Sequence, residues 1–170
     1  MLPQRINLIT YSTLAVIICY IDRVNISVAI IPMQEQFGWS DSQVGFIFSS
    51  FYLGYMLTMA LGGYLSDKFG GKRVLGWGVV LWSIFTILTP LAAHNGFFAL
   101  FFIRILMGIG EGVTFPAWHS LYARWIPFNE RTRAIAFTNS GVSIGTIIGY
   151  IGTQMIILAM GWEWAFYIFG

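Results

Sequence analysis

The sequence has very few charged residues. Lys, Arg, Asp and Glu together make up 9% of the 170 residues, whereas hydrophobic residues make up 57%. A soluble domain carries about a quarter charged residues, because its surface must face water. A chain with so few charges cannot cover a water-exposed globule. The composition therefore predicts an integral membrane protein.

Cysteine and clustered basic residues are also scarce. Cys19 is the only cysteine, which excludes an intramolecular disulfide, and no CxxC or Cys/His cluster indicates a metal site. The net charge of +2 and the lack of a Lys/Arg run argue against nucleic-acid binding. Arg5 precedes an apolar stretch, as in a signal peptide. That stretch is long and runs into "DRVN" without a small-residue cleavage site, so we expect a retained first helix.

Long apolar segments fill most of the chain. A spanning helix needs about 20 mainly apolar residues, and the segments between the polar connections reach that length. The predicted spans are 8–31, 43–65, 74–92, 97–121 and 133–158, and a sixth begins at 162–170. The sequence thus predicts an all-α membrane protein with a single transmembrane domain over residues 1–170.

The basic residues outside the spans all lie on one side of the predicted topology. Cytoplasmic loops are enriched in Lys and Arg, whereas the loops on the opposite side of this topology contain neither. The N-terminus is therefore predicted to be cytoplasmic. The basic residues on that side are Arg5, Lys68, Lys72, Arg73, Arg124, Arg131 and Arg133.

Ionisable residues interrupt the fourth span, "FFIRILMGIGEGVTFPAWHS". An Arg near the middle of a spanning helix costs about 2.5–3.5 kcal/mol on insertion scales, so such residues usually face a bundle interior or a water-filled cavity. Arg104 and Glu111 share nearly the same helix face, about 10 Å apart, with Gly108 leaving space between them. His119 lies about two turns closer to the cytoplasm. For His119, simple contact with the membrane interface is an equal alternative.

The first span contains a second polar patch, formed by Asp22, Arg23 and Asn25. Measured from the outer ends of two antiparallel spans, Asp22 lies about 14 Å deep and Arg104 about 10 Å deep. We expect residues at similar depths to line one cavity, to which Tyr55 in the second span adds a hydroxyl group. The alternative is that the charges form internal ion pairs that only hold helices together, for gains of about 0.6–2 kcal/mol.

The turn after the second span carries a specific motif. "GGYLSDKFGGKRVL", residues 62–75, resembles the loop between helices 2 and 3 of the major facilitator superfamily, with the pattern G-x-L-x-D-R/K-x-G-R/K-R/K-x-x-L. Glycines allow a tight turn there, and Asp67 is predicted to form a cytoplasmic latch with Lys72 and Arg73. The resemblance implies that this loop steadies the outward-open state; an ordinary positive-inside turn is the alternative. The matching residues are Gly63, Leu65, Asp67, Lys68, Gly70, Lys72 and Leu75, while Gly71 departs from the usual basic residue.

Three further segments resemble the anion:cation symporters within that superfamily, which include sialin, the vesicular glutamate transporters and bacterial sugar-acid permeases. The segments are "YIDRVNISVAI", "RILMGIGEGVTFPAWHS" and "RWIPFNERTRA". "GWEWAFYIFG" is similar to the start of that family's sixth helix. The resemblance covers essentially the whole chain and implies an amino-terminal six-helix bundle that ends within the sixth transmembrane helix.

The resemblance also implies roles for the buried polar residues. Arg104 is implied to contact the substrate anion and Glu111 to be the proton-coupling carboxylate, with Asp22 as a second protonatable site. His119 matches the helix-4 histidine of sialin-like members, where it is tied to proton coupling. The chemistry suits these roles, because a guanidinium fork matches a carboxylate and a carboxyl group in a low-dielectric site exchanges protons more readily near neutral pH. The substrate-binding candidates are Arg104, Tyr55, Arg23 and Asn25.

A glycine ridge marks the fifth span. Gly141, Gly145 and Gly149 recur at a spacing of four residues, and such small-residue ridges let helices approach closely. Simple packing is the favoured interpretation; the alternative is a surface that slides against a helix of a second half. The ridge lacks the Gly-Pro end of drug/proton antiporters, which disfavours an exporter.

These observations predict part of a secondary active transporter, working by proton-coupled symport of an organic carboxylate anion with alternating access. Such a carrier has about 12 helices, so we expect a fragment, or a chain that needs a carboxy-terminal six-helix half. The expected partners are a small organic anion, a proton and the lipid bilayer. We expect no cofactor, no metal and no nucleic acid. Sugar acids, aromatic carboxylates and dicarboxylates all remain open as substrates.

Other functions are possible on the sequence alone. The chain can be a non-transporting membrane scaffold or partner protein, or a major-facilitator exporter of another substrate class. An integral-membrane enzyme is disfavoured, because no nucleophile–base or metal-ligand constellation occurs among the spans. The expected location is a bacterial cytoplasmic membrane, with an organelle membrane as the alternative.

Overall fold

The computed structural model describes residues 2–170, with side chains from Gln4 onward, and its regular elements are all helices. Five helical segments are long and apolar enough to cross a membrane, one of them made of α4 and α5 together. The predicted all-α membrane fold is confirmed. The helices are α1 (Leu2–Phe37), α2 (Asp41–Phe69), α3 (Gly71–His94), α4 (Phe97–Gly112), α5 (Thr114–Trp125), α6 (Phe128–Met160) and α7 (Trp162–Phe169).

The turns that flank α2 follow from their residues. At its start, the Ser40 hydroxyl accepts a hydrogen bond from the Gln43 backbone N–H at 3.3 Å, and the Gln43 side chain accepts one from the Ser40 N–H at 2.9 Å. This reciprocal pair is a capping box, which satisfies backbone donors that the helix itself leaves free. At its end, Gly70 adopts a φ of +88°, which favours glycine, and α3 begins at the next residue.

Helices α2 and α4 pack with their backbones in direct contact. A Cβ atom built on Gly108 would overlap the backbone oxygen of Phe51, and one on Gly54 would overlap the backbone oxygen of Ile105. Small residues at these positions allow the close approach, as is common between membrane helices. Gly108 lies between Arg104 and Glu111 in sequence, so this approach brings α2 side chains next to the polar residues of α4.

The glycine ridge of α6 packs against α1. A Cβ atom on Gly141 would lie 3.1 Å from the backbone oxygen of Thr13, and one on Gly149 would lie 3.2 Å from the Cα of Ile21. Between them Gly145 is closer still, since a Cβ there would lie 2.5 Å from the backbone oxygen of Ile17. The ridge therefore serves packing within this bundle, which agrees with the favoured interpretation. Together with α2·α4 and α3·α4, the α1·α6 pair forms the main framework of the fold.

The fourth predicted span differs from the sequence expectation of one continuous segment ending at 121. The helix is interrupted at Val113 and then continues to Trp125. The cause is Pro116, which has no backbone N–H to donate to the carbonyl of Gly112 four residues earlier and whose ring crowds that carbonyl. The interruption comes directly after Glu111.

Large apolar side chains remain exposed on several helices. Met56 on α2, Trp77 on α3, Phe98 on α4 and Met155 on α6 are each more than 60% exposed. Exposed apolar surfaces of this extent are typical of contacts with a membrane or with other helices. The interior instead holds the polar residues of α1 and α4.

Candidate functional site

The polar residues of α1 and α4 meet inside the bundle. Asp22, Asn25 and Glu111 are fully buried, and Arg104 is only 2% exposed. The Arg23 side chain is 16% exposed and contacts Glu111 directly. The two patches, which the sequence placed at similar depths, thus lie next to each other.

Arg23 and Glu111 form the ion pair of this region. Arg23 donates from Nη2 at 2.7 Å and from Nε at 3.1 Å, both to Oε2 of Glu111. The Cys19 thiol donates to the same oxygen at 3.3 Å. The other oxygen, Oε1, is buried and makes no hydrogen bond with a described residue. Since charge-assisted bonds of this kind require a carboxylate, the pair depends on Glu111 being ionised.

Aromatic rings surround the Arg23 guanidinium. Its Cζ lies 4.9 Å from the ring centroid of Tyr20, 5.2 Å from that of Phe51 and 4.8 Å from that of Tyr55. A guanidinium over an aromatic face is attracted by the electron density of the ring. Arg23 therefore has a second source of stabilisation that does not depend on Glu111.

Arg104 has no carboxylate partner among the described residues. Its Nη1 lies 3.1 Å from the Met107 sulfur, a weak acceptor, and its Cζ lies 4.9 Å from the Phe51 ring centroid. Its Nε is buried without a hydrogen bond. The internal ion pair that the sequence left open thus forms between Arg23 and Glu111, while the Arg104 guanidinium keeps unused donors.

Asp22 and Asn25 are buried beside this pair. Neither oxygen of Asp22 and neither polar atom of the Asn25 amide makes a hydrogen bond with a described residue. Asp22 does not pair with its neighbour Arg23, because consecutive residues point about 100° apart around a helix. A buried carboxylate without a hydrogen-bond partner is costly in its ionised form.

A cavity of about 210 Å³ opens in front of both arginines. Arg23 and Arg104 line it, whereas Asp22, Asn25 and Glu111 do not, contrary to the expectation that the two polar patches share its wall. The other polar residues of the lining all carry hydroxyl groups. They are Tyr20, Ser27, Tyr52, Thr146 and Tyr150.

His119 and Tyr55 line a separate cavity of about 410 Å³. His119 is exposed, its Nδ1 lies 2.7 Å from the Phe115 carbonyl oxygen, and its ring stacks on Trp118 with centroids 3.7 Å apart. It therefore does not join the Arg104 and Glu111 group. Tyr20 lines both cavities and lies between them.

Asp67 forms its ion pair with a different partner from the ones predicted. Asp67 accepts hydrogen bonds of 3.2 Å from Arg124 and from the Ser120 hydroxyl, and it makes no ion pair with Lys72 or Arg73 among the described residues. The prediction of Lys72 and Arg73 as partners was wrong. The physical reason is that α5 packs against both α2 and α3, which brings its basic end next to the end of α2.

The remaining residues of the motif have distinct surroundings. Gly71 is buried, and a Cβ there would lie 2.6 Å from the Ala117 carbonyl oxygen, which explains why the usual basic residue is replaced. Lys68 Nζ lies near the ring of Phe69, 5.4 Å from its centroid. Gly63 faces open space. The turn at Gly70 thus positions α2 and α3, and Asp67 links them to α5.

Three residues of the site were not singled out from the sequence. Cys19 and Tyr20 lie one helical turn before Arg23, and Phe51 lies one turn before Tyr55. A search for residues three or four positions from each buried charge finds Cys19 and Tyr20, but not Phe51, which has no charged residue at that spacing. The site is therefore a buried carboxylate–guanidinium pair, an unpaired guanidinium beside it and an interior cavity, which together can hold an anion and exchange a proton.

A helical bundle that crosses the membrane several times and buries such a site defines a multi-pass membrane protein of the transporter class. The sequence profile described as Major Facilitator Superfamily matches residues 12–170, and the chain belongs to this superfamily. The resemblance of the 62–75 motif to this superfamily is confirmed.

Curated relatives match along almost the whole chain. The chain is 47% identical to a probable chloroplastic anion transporter 4 of Oryza sativa subsp. japonica, 46% to a chloroplastic ascorbate transporter of Arabidopsis thaliana and 45% to a chloroplastic sodium-dependent phosphate transport protein 1 of Arabidopsis thaliana. Each match covers 99% of this chain but only 28%, 31% and 33% of the relative. The chain thus spans about a third of the length of these relatives. They are all named as transporters or transport proteins, and the expectation that the chain is not an enzyme agrees with its place in this superfamily.

A solved structure has the same fold. The bacterial homologue of the human lysosomal transporter Spinster, in an inward-facing and occupied conformation, superimposes with a TM-score of 0.84 at 26% identity. The match covers 96% of this chain and 37% of that one. The major-facilitator-type arrangement of the helices is therefore confirmed.

Proposed function

We propose that this chain forms one half of a secondary active transporter that moves an organic anion together with a proton. The observation that carries the proposal is the ion pair between Arg23 and Glu111 at a cavity that Arg104 also lines. A single carboxylate there competes with an incoming anion for Arg23. Such competition couples proton uptake to anion binding.

The proposed coupling follows from the charges. While Glu111 is ionised, it neutralises Arg23 and holds its two donors. A proton on Glu111 removes the negative charge, and the Arg23 donors then turn to an anion in the cavity, next to the unpaired Arg104. Guanidinium forks match carboxylate geometry, so both arginines can hold one carboxylate-bearing substrate. A proton and a monovalent anion together add no net charge to the site, so the loaded carrier avoids the cost of moving an uncompensated charge through a low-dielectric environment.

Asp22 is proposed as the second proton site. Its two oxygens are buried without partners, which an ionised carboxylate tolerates poorly. Its proton therefore leaves only when water reaches it or when Arg104 turns toward it. His119 is proposed to exchange protons with the cytoplasmic side from the separate cavity that it shares with Tyr55 and Tyr20.

Hydroxyl groups around the cavity favour a polyhydroxylated substrate. Tyrosine, serine and threonine hydroxyls line the space in front of Arg23 and Arg104 and can both donate to and accept from substrate hydroxyl groups. A relative named as an ascorbate transporter supports a sugar-acid-like anion. Inorganic phosphate is the second candidate, supported by the two guanidiniums and by a relative named as a phosphate transport protein.

The remaining parts of the carrier are proposed from the length of the relatives. We propose that a second six-helix half completes the pathway and that the two halves rock around the site. In this scheme Asp67 and Arg124 steady one conformation at the cytoplasmic surface, with the N-terminus on the same side and lipid around the exposed helices. The names of the relatives favour an organelle membrane over a bacterial one.

Uptake into proteoliposomes tests the proposal. The complete gene product is reconstituted, and accumulation of labelled ascorbate, a labelled sugar acid and labelled phosphate is measured with and without an imposed inward proton gradient. We expect accumulation of one of the organic anions above its equilibrium level only with the gradient. A scaffold would give no uptake, and an exporter would accumulate substrate only with the opposite gradient; either result contradicts the proposal.

A further inference from the structure

We infer that Phe51 is the positioning residue that holds both guanidiniums of the site in place through the face of its ring. The inference rests on the proposed function for its role in anion binding, but its geometry stands by itself. Phe51 is 1% exposed and belongs to α2, whereas the two guanidiniums come from α1 and α4. Phe51 therefore links α2 to side chains of α1 and α4 beside the cavity.

The Phe51 ring lies close to both guanidinium groups. The Cζ of Arg23 lies 5.2 Å from the Phe51 centroid, and the Cζ of Arg104 lies 4.9 Å from it. Both fall within the range of about 6 Å in which a ring attracts a cation. Among the described residues, Phe51 has the only ring that meets this criterion for both guanidiniums.

Backbone contacts fix the ring in this position. A Cβ on Gly108 would overlap the Phe51 carbonyl oxygen, so α2 and α4 are in backbone contact at this point. The ring also stacks on Tyr55 with centroids 5.8 Å apart and meets Tyr52 edge-on at 5.3 Å. A ring held in this way sets the positions of the cations that pack on it.

The two arginines depend on the ring to different degrees. Arg23 has Glu111, Tyr20 and Tyr55 in addition to Phe51. Arg104 has only the ring and the sulfur of Met107 as described partners. Without the ring, Arg104 would keep only the weak contact with the Met107 sulfur among these described partners.

Protonation of Glu111 increases the need for the ring. Once the carboxylate is neutral, the two guanidiniums face the same cavity with no anion between them until substrate arrives, and like charges at short range in a low-dielectric site repel strongly. The electron density of the Phe51 ring offsets part of that repulsion. Phe51 therefore keeps the empty, protonated site ready to take an anion.

Graded fluorination of the ring tests this role. Fluorine atoms withdraw electron density from the ring face while changing its size little, so Phe51 is replaced by mono-, di- and trifluorophenylalanine in the complete gene product. We expect KM for the transported anion to rise stepwise with each fluorine, by between about twofold and about thirtyfold in total, while kcat changes little. The matched control is the same series at Phe166, which is 2% exposed and has no guanidinium over its ring among the described contacts.

Thermal unfolding of the same variants gives a readout that does not need transport. We expect trifluorophenylalanine at 51 to lower Tm, and the effect to shrink when Arg104→Gln removes one of the cations. An equal effect at Phe166, or an undiminished effect in the Arg104→Gln background, would overturn the inference. If the unsubstituted protein transports no anion, the proposed function fails, while the Tm series still decides whether the ring holds the guanidiniums.

Discussion

Arg23 donates two hydrogen bonds to one oxygen of Glu111, although Arg104 is the arginine that shares a helix with Glu111. The pair joins α1 to α4 across the interior and leaves Arg104 without a carboxylate partner among the described residues. The consequence is a site with one neutralised and one free guanidinium on the same cavity. In the proposed mechanism, the protonation state of Glu111 decides whether one or both guanidiniums are free to bind the substrate.

Replacing Arg104 is expected to remove anion binding. Hydrogen bonds to charged groups contribute about 1.5–3 kcal/mol, so Arg104→Gln should raise KM for the anion at least tenfold. Arg104→Lys should recover part of the loss, because it keeps the charge but not the planar fork. Uptake kinetics in proteoliposomes give the KM of both variants. Arg133→Gln, an exposed arginine on α6, is the control, and a wild-type KM in Arg104→Gln would exclude this residue from the anion site.

Replacing Glu111 is expected to separate exchange from accumulation. Glu111→Gln cannot take up or release a proton, so accumulation driven by a proton gradient should be lost while counterflow exchange of anion for anion continues. Uptake of radiolabelled anion is measured once with a proton gradient and once as counterflow without a gradient. Glu130→Gln, on the surface, is the control. Gradient-driven accumulation at the wild-type level in Glu111→Gln would remove Glu111 from the coupling mechanism.

The latch between Asp67 and Arg124 is expected to affect transport rather than stability. Their side chains are 72% and 52% exposed, and exposed pairs contribute about 0–1 kcal/mol. Asp67→Asn should therefore leave the unfolding transition nearly unchanged and lower the transport rate. The charge swap Asp67→Arg with Arg124→Asp should restore part of the rate. If the swap is no better than either single variant, the pair itself is not the latch.

The close contact between α2 and α4 is expected to depend on glycine. Gly108→Ala places a methyl group on the Phe51 backbone oxygen, and such overpacking costs about 1–3 kcal/mol. Gly76→Ala, where a Cβ meets nothing within 4 Å, should leave stability unchanged or slightly raised. Thermal unfolding in detergent compares the two variants. Equal Tm values for both would mean that the two helices are not packed as described.

The sequence allowed the helices to be predicted because long apolar runs and their polar connections are local features. The interruption at Val113 was missed, although Pro116 is visible in the sequence, because membrane helices tolerate proline and the residue alone does not show whether the helix is interrupted. The partners of the charged residues were harder to predict. Arg23 with Glu111 and Asp67 with Arg124 are pairs between distant helices, and helical spacing gives the face of a residue but not the helix opposite to it. Phe51 was missed for the same reason, since an aromatic residue in an apolar span looks like any lipid-facing or core residue.

The central claim is that a proton on Glu111 releases Arg23 to bind the anion, and equilibrium binding as a function of pH tests it most directly. Binding of the labelled anion to the purified complete gene product is measured across a pH series for the wild type and for Glu111→Gln. The account predicts that wild-type affinity rises as the pH falls, because the carboxylate that competes for Arg23 is neutralised. It predicts high affinity with a flattened pH dependence for Glu111→Gln, in which that competitor is absent at every pH. The same steep pH dependence in both proteins would contradict it.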